Sequence, residues 1–149
     1  MQEKIFKEFL IKAKKETYAN IKSKKKKLKD KSKELTFSEK DFIYRDRYFG
    51  GNPFSGEEVI FKKKTPIWIM NYYGKADSKI SSIKIYNFLK KALSNINEEI
   101  PFRGPKKFNS EKWKYINKLK GTINFFQGKE LIYFKNKLVY ICYYHGGLL

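Results

Sequence analysis

One cysteine, one histidine and three arginines in 149 residues leave this chain short of the side chains on which most recognisable chemistry is built. Cys142, alone, excludes an internal disulfide and any multi-cysteine metal site, which fits a reducing, cytoplasmic compartment. With His145 the only histidine, and no ligand spacing among the acids, no metal site is assigned. Cys142 and His145 lie three residues apart in an extended pattern. They therefore point to opposite faces of a strand and do not make a thiol–imidazole pair. Gly50-Gly51 and Gly146-Gly147 read as turns and strand ends, because neither precedes a helix opening with Lys-Ser/Thr; no cofactor and no catalytic residue is assigned. No apolar run approaches the length of a membrane span. Met1 to Phe9 mixes acids and lysines with its apolar residues, unlike a signal peptide.

What is abundant is lysine and aromatic rings. The formal net charge is +19, and 17% of residues are Phe, Tyr or Trp. A charge of that size attracts nucleic acid, anionic lipid or acidic proteins. Of the 34 basic residues, however, all but Arg45, Arg47 and Arg103 are lysine, and 16 isoleucines stand against 2 valines. Both skews fit an AT-rich genome. Arginine is the better residue for bidentate contact with bases and phosphates, so a lysine surface argues against specific readout.

The length fits one domain, residues 1–149. Residues 1–35 read as a basic N-terminal helix, with Ile5, Phe6, Phe9, Leu10 and Ala13 on one face, and a Lys-rich connection. Residues 40–74 form a first strand-and-hairpin unit, with Phe42, Tyr44, Asp46 and Tyr48 alternating onto one face and further strands at 57–62 and 66–73. Residues 78–120 are helical: Ser78 caps a helix running to about Asn95, with Ile80, Ile83, Tyr86 (or Ile85), Leu89 and Leu93 inward. After a loop, Ser110 caps a second helix, 111–119, carrying Trp113, Ile116 and Leu119. Residues 121–149 form the second hairpin unit, whose last strand could pair across a homodimer.

The two hairpins align without a gap from Phe54–Gly74 to Phe126–Gly146, and 8 of those 21 positions are identical. Each copy begins Phe-x-Gly-x-Glu and ends Tyr-x-Gly. The expected fold is therefore α+β: an antiparallel sheet from two duplicated β-hairpins in a pseudo-twofold arrangement, covered by two or three helices. If the turns lie at Lys63–Thr65 and Lys135–Lys137, Glu58 faces Met70 and shares a face with Trp68 and Tyr72. Glu130 then shares one with Tyr140, Cys142 and Tyr144. A carboxylate on an aromatic face needs a partner, or its pKa rises. Lysine, Arg103, a Tyr hydroxyl, a backbone amide or a bound cation would serve. The plainer alternative leaves each Glu at the solvent edge of its strand. Asp46, between Tyr44 and Tyr48, repeats the theme, with pairing to Arg45 or Arg47 as its plain alternative.

Tyr44-x-Asp46-x-Tyr48-Phe49-Gly50, Phe54-x-Gly56-x-Glu58 and Pro66-x-Trp68-x-Met70-Asn71-Tyr72-Tyr73-Gly74 resemble a bacterial family of unknown function, found alone or C-terminal to a helix-turn-helix in transcription regulators. No helix-turn-helix is recognisable here. The resemblance implies an effector or sensor role. A looser similarity of arrangement, without a shared motif, is to gyrase-inhibitor-like effector domains, which hold a glutamate among aromatic rings for cationic organic molecules.

The function expected first is thus small-molecule binding. The pocket would lie between the hairpins, lined by Tyr44, Asp46, Tyr48, Glu58, Trp68, Tyr72, Glu130, Tyr140 and Tyr144, and would suit a small cationic or aromatic ligand. The second expectation is nonspecific nucleic-acid association through the Lys-rich surface, with rings available for stacking. A hydrolase using acidic residues comes last, for want of a nucleophile–base pair.

Overall fold

In a computed structural model describing residues 2–20 and 22–149, nine strands form one continuous antiparallel sheet. Helix α1 spans Gln2–Glu16. Strands β1 (Lys26–Lys27), β2 (Lys33–Glu39), β3 (Phe42–Gly50), β4 (Phe54–Lys62) and β5 (Thr65–Ala76) follow, then helix α2 (Ser82–Leu93). Strands β6 (Lys107–Ser110), β7 (Trp113–Thr122), β8 (Phe125–Phe134) and β9 (Lys137–Leu148) complete the chain, and the sheet runs β1-β2-β3-β4-β5-β9-β8-β7-β6.

This overturns the α+β expectation of two hairpins covered by two or three helices. Two stretches assigned to other structure are strands. The lysine-rich connection ends in β2, where Leu35 and Phe37 turn inward. The expected helix at 111–119 is β7. Its apolar residues Trp113, Ile116 and Leu119 mimic helical spacing, but Tyr115 and Asn117 are the buried pair, at the two-residue period of a strand. What remains helical is short. In α2, Ile85, Phe88, Leu89, Ala92 and Leu93 face inward while Ile83 lies outside, and the helix starts at Ser82 rather than just after Ser78. The last strand, β9, is no free edge: it lies between β5 and β8. The actual edges, β1 and β6, are two and four residues long, which limits edge-to-edge pairing.

Both hairpin registers follow from tight turns. Lys63-Lys64 and Lys135-Asn136 hold positive φ at both central positions, the geometry of the turn that matches strand twist. A bulge next to each turn then restores the pairing Glu58↔Met70 and Glu130↔Cys142. The glycines of the two Phe-x-Gly-x-Glu segments also acquire a reason. Gly56 pairs with Tyr72 and Gly128 with Tyr144, and a Cβ at either glycine would stand within 2.7 Å of the opposing tyrosine's side chain.

One face of the sheet carries the core, roofed by α1, α2 and the segment 94–106. Trp68 is fully buried, stacked against Phe102 and Phe126, with Phe6 at its edge. No helix among the described residues is long and apolar enough to cross a membrane.

Candidate functional site

Three acids face the roofed side of the sheet, all buried: Asp46 on β3, Glu58 on β4 and Glu130 on β8. The alternation that placed the rings inward placed these carboxylates with them, and neither glutamate sits at a solvent edge. Their partners come from distant segments, and the two halves of the sheet solve the same problem differently.

In the second half, Arg103 reaches Glu130 Oε1 with Nε at 3.1 Å and Nη2 at 2.5 Å. Tyr140 donates to Oε1 at 2.8 Å, and Tyr115 donates to Oε2 at 2.7 Å while its own oxygen accepts from Gly104 N–H at 3.0 Å. Beside them, Tyr144 donates to Asn117 Oδ1 at 2.6 Å, and Asn117 Nδ2 donates to the Gly104 carbonyl at 2.9 Å. Donors and acceptors match throughout, and arginine's fork supplies two of the bonds.

In the first half, Lys14 is the cation. It is fully buried at the end of α1 and donates to Glu58 Oε2 and to the Phe102 carbonyl. Burial pushes its ammonium below the usual lysine range, and the Glu58 carboxylate pulls it back up. Glu58 Oε1, the Tyr44 hydroxyl and the Tyr18 hydroxyl are buried without a hydrogen-bond partner among the described residues. Asp46, cross-strand neighbour of Glu58, accepts from the Tyr72 hydroxyl at 2.5 Å rather than pairing with Arg45 or Arg47. Those arginines point to the other face, toward Glu57 and Glu34. Burial first, and repulsion from Glu58 second, raise the Asp46 pKa to about 7, against the opposing pull of Tyr72, Lys14 and Arg103.

Asp46 lies at a cavity of about 470 Å³ between α2 and strands β2 to β5. Tyr18, Tyr48, Phe54, Tyr72 and Tyr86 wall it, Arg103 adjoins the acid, and Lys25, Lys33 and Lys90 stand around it. Asn52 fixes one side. Its amide exchanges hydrogen bonds with the Ala76 backbone at 3.2 and 2.8 Å and accepts from the Tyr86 hydroxyl at 3.0 Å. Arg103 also lies over the Tyr18 and Tyr72 rings, 5.3 and 5.5 Å from their centroids, so the residue that satisfies Glu130 forms part of this cavity too.

Of the nine residues expected from sequence, the cavity gathers Asp46, Tyr48 and Tyr72. Tyr44, Glu58 and Trp68 lie in the core, and Glu130, Tyr140 and Tyr144 belong to the second-half network; none of these six lines the cavity. Phe54 and Tyr86, not among the nine, are wall residues. Phe54 opens the repeated motif and carried a signal, whereas Tyr86 was an alternative core position on a helix. Lys14 was hidden in the lysine face of α1. The lone thiol is pushed up to about 12 by burial and is no nucleophile at neutral pH.

Comparison with curated proteins and with solved structures gave no match. A protein-family comparison did: residues 46–149, from Asp46 on β3 to the C-terminal residue, match a domain of unknown function, DUF5680, and the chain belongs to that family.

Proposed function

We propose that the domain binds a small planar ligand in the first-half cavity. The observation that carries this reading is the meeting of a buried acid, Asp46, and a buried arginine, Arg103, at the side of an aromatic-walled cavity. Pockets for small molecules combine apolar walls with a few convergent polar groups in this way. The charge around the cavity, three lysines and Arg103 against Asp46, favours a ring carrying an anionic group over the cationic ligand expected from sequence. An effector or sensor role in a bacterial cytoplasm, alone or attached to a DNA-binding module, is the setting that the sequence resemblance suggests for such a site.

A panel of aromatic carboxylates, aromatic phosphates and aromatic amines, followed by thermal shift, tests the proposal. A ligand at about 100 times its Kd stabilises by about 2.7 kcal/mol, a shift of several degrees. The anionic members raise the melting temperature and the amines do not, and Tyr86→Ala abolishes the response. A flat response to the whole panel contradicts the reading.

One observation favours a second reading. A carboxyl with its pKa near 7 at a cavity is suited to proton transfer, the general acid–base role that a hydrolase needs. Asp46→Asn separates the two: it removes turnover and keeps binding if the acid is catalytic.

A further inference from the structure

Among the described residues no helix covers the other face of the sheet, and its chemistry differs from that of the cavity. Cross-strand pairing sets two rows across β7, β8, β9 and β5. One reads Lys118, Lys129, Tyr143, Tyr73; the next reads Lys120, Gln127, His145, Asn71. Tyr73 and Tyr143 are therefore direct neighbours. They are 52% and 56% exposed, and neither ring packs against another aromatic ring among the described residues. A groove of about 420 Å³ runs beside Tyr143, edged by Lys118, Lys120, Lys129 and His145.

The lysines of β6 to β8 on this face have no acid among their cross-strand neighbours. From Lys107 to Leu149 the chain has eight lysines and only two acids, Glu111 and Glu130. Glu130 is consumed inside by Arg103, and Glu111 sits in the β6–β7 turn. The nearest acid along the two rows is Glu57 on β4, opposite Asn71, and Arg45 already holds it at 3.4 Å. The lysine excess of the whole chain has a genomic explanation, but that bias does not arrange two bare tyrosines side by side with cations on one flank.

We propose that this face is a binding platform for single-stranded nucleic acid. Bases stack on Tyr73 and Tyr143, and the phosphates run over Lys118, Lys120 and Lys129, one or two strand spacings from Tyr143 and two or three from Tyr73, roughly 5–15 Å. A single strand fits where a duplex does not, because duplex bases are already stacked and offer no free π-face to a sheet. Lysine in place of arginine makes the contact indifferent to sequence. A second copy of this chain is a poor occupant, since two like-charged faces repel. The platform is independent of the cavity on the opposite side.

The test uses the full chain and fluorescein-labelled thymidine oligomers of about 12 nucleotides, single-stranded or paired with their complement, by anisotropy at roughly 50 and 200 mM salt. Single strand binds tighter than duplex. Tyr73→Ala with Tyr143→Ala weakens it roughly tenfold or more without changing the salt dependence. Lys118→Ala with Lys129→Ala lowers the salt slope for the single strand by about 1.4. Tyr73→Leu with Tyr143→Leu keeps apolar bulk on both strands, removes the π-faces and gives the same loss as the alanine pair. Lys26→Ala with Lys27→Ala, on the far edge strand, keeps the ring-dependent affinity, and Tyr86→Ala, which removes ligand binding in the cavity, leaves oligomer binding as in wild type. Equal binding of duplex and single strand, affinity untouched by both tyrosine pairs, or full displacement of the oligomer by anionic lipid vesicles each overturns the proposal.

Discussion

Around Glu130, four donated hydrogen bonds reach one carboxylate, and no buried polar side chain of β6 to β9 is left without a partner among the described residues. Around Glu58, a single lysine serves one oxygen, the other oxygen is bare, and two tyrosine hydroxyls are unpaired. The two glutamates occupy the same step of a repeated sequence and the same depth in the sheet. What separates them is the cation. Arginine offers a planar fork that fills several acceptor sites at once, whereas lysine is a point charge at the end of a chain. Unfilled hydrogen-bonding capacity in a folded protein marks places where folding is not the only demand. The unfilled half is also the half with the cavity at Asp46.

The comparison is broken most forcefully at Arg103. Arg103→Leu strands Glu130 as a buried anion and removes a wall of the cavity, and urea unfolding shows a loss of about 3–5 kcal/mol. If Arg103 proves dispensable, the hydrogen bonds around Glu130 do not hold the second half of the sheet. Next come the glutamates. Glu130→Gln disrupts four donated bonds and leaves Arg103 without its counter-charge, at a cost of about 3 kcal/mol, while Glu58→Gln disrupts one bond, leaves Lys14 without its counter-charge and relieves the repulsion on Asp46, at a cost of about 2 kcal/mol. Equal costs would remove the distinction between the halves.

Asp46 gives the comparison a pH signature. Its folded pKa of about 7 lies above the ordinary aspartate value of 3.8, so the folded state binds the proton more tightly than the unfolded chain. The contribution to stability is complete below about pH 4 and declines as pH rises through 7. Asp46→Asn flattens stability across that window and makes the protein more stable than wild type at pH 8, as chemical denaturation at several pH values will show. The smallest effect comes from the tyrosines that face Ile60 and Ile132 across their hairpins. Tyr115→Phe loses about 1 kcal/mol, whereas Tyr44→Phe is neutral or slightly stabilising, because only the Tyr115 hydroxyl is paired.

Much of this contrast was beyond the sequence. The period-two pattern of 42–48 and of both hairpins made the strands, the register of Glu58 and Glu130, and their inward direction legible, since one face must be apolar. β7 was not legible, because a polar residue, Asn117, occupies an inward position where the alternation would have shown, and three apolar residues at helical spacing supplied a false period. β2 was masked by lysines on both sides of Leu35 and Phe37. Which cation reaches which acid depends on chain separations of 44 residues for Lys14–Glu58 and 27 for Arg103–Glu130, and no local pattern encodes that choice. The cavity needed the same long-range information. Its strand residues alternate visibly, but Tyr18, Tyr86 and Arg103 arrive from three separate segments.

The most direct measurement is a fluorescence titration of the native domain with 8-anilinonaphthalene-1-sulfonate, an aromatic ring system carrying an anionic group, the chemistry proposed for the cavity. Wild type binds one equivalent with enhanced emission. Ser82→Trp, which blocks the α2 side of the cavity, and Tyr86→Ala, which removes its wall, both abolish that signal, while Tyr143→Ala on the opposite face leaves it intact. Absence of saturable binding by the folded wild type, or binding unchanged in both cavity variants, contradicts a ligand site in the first half of the sheet.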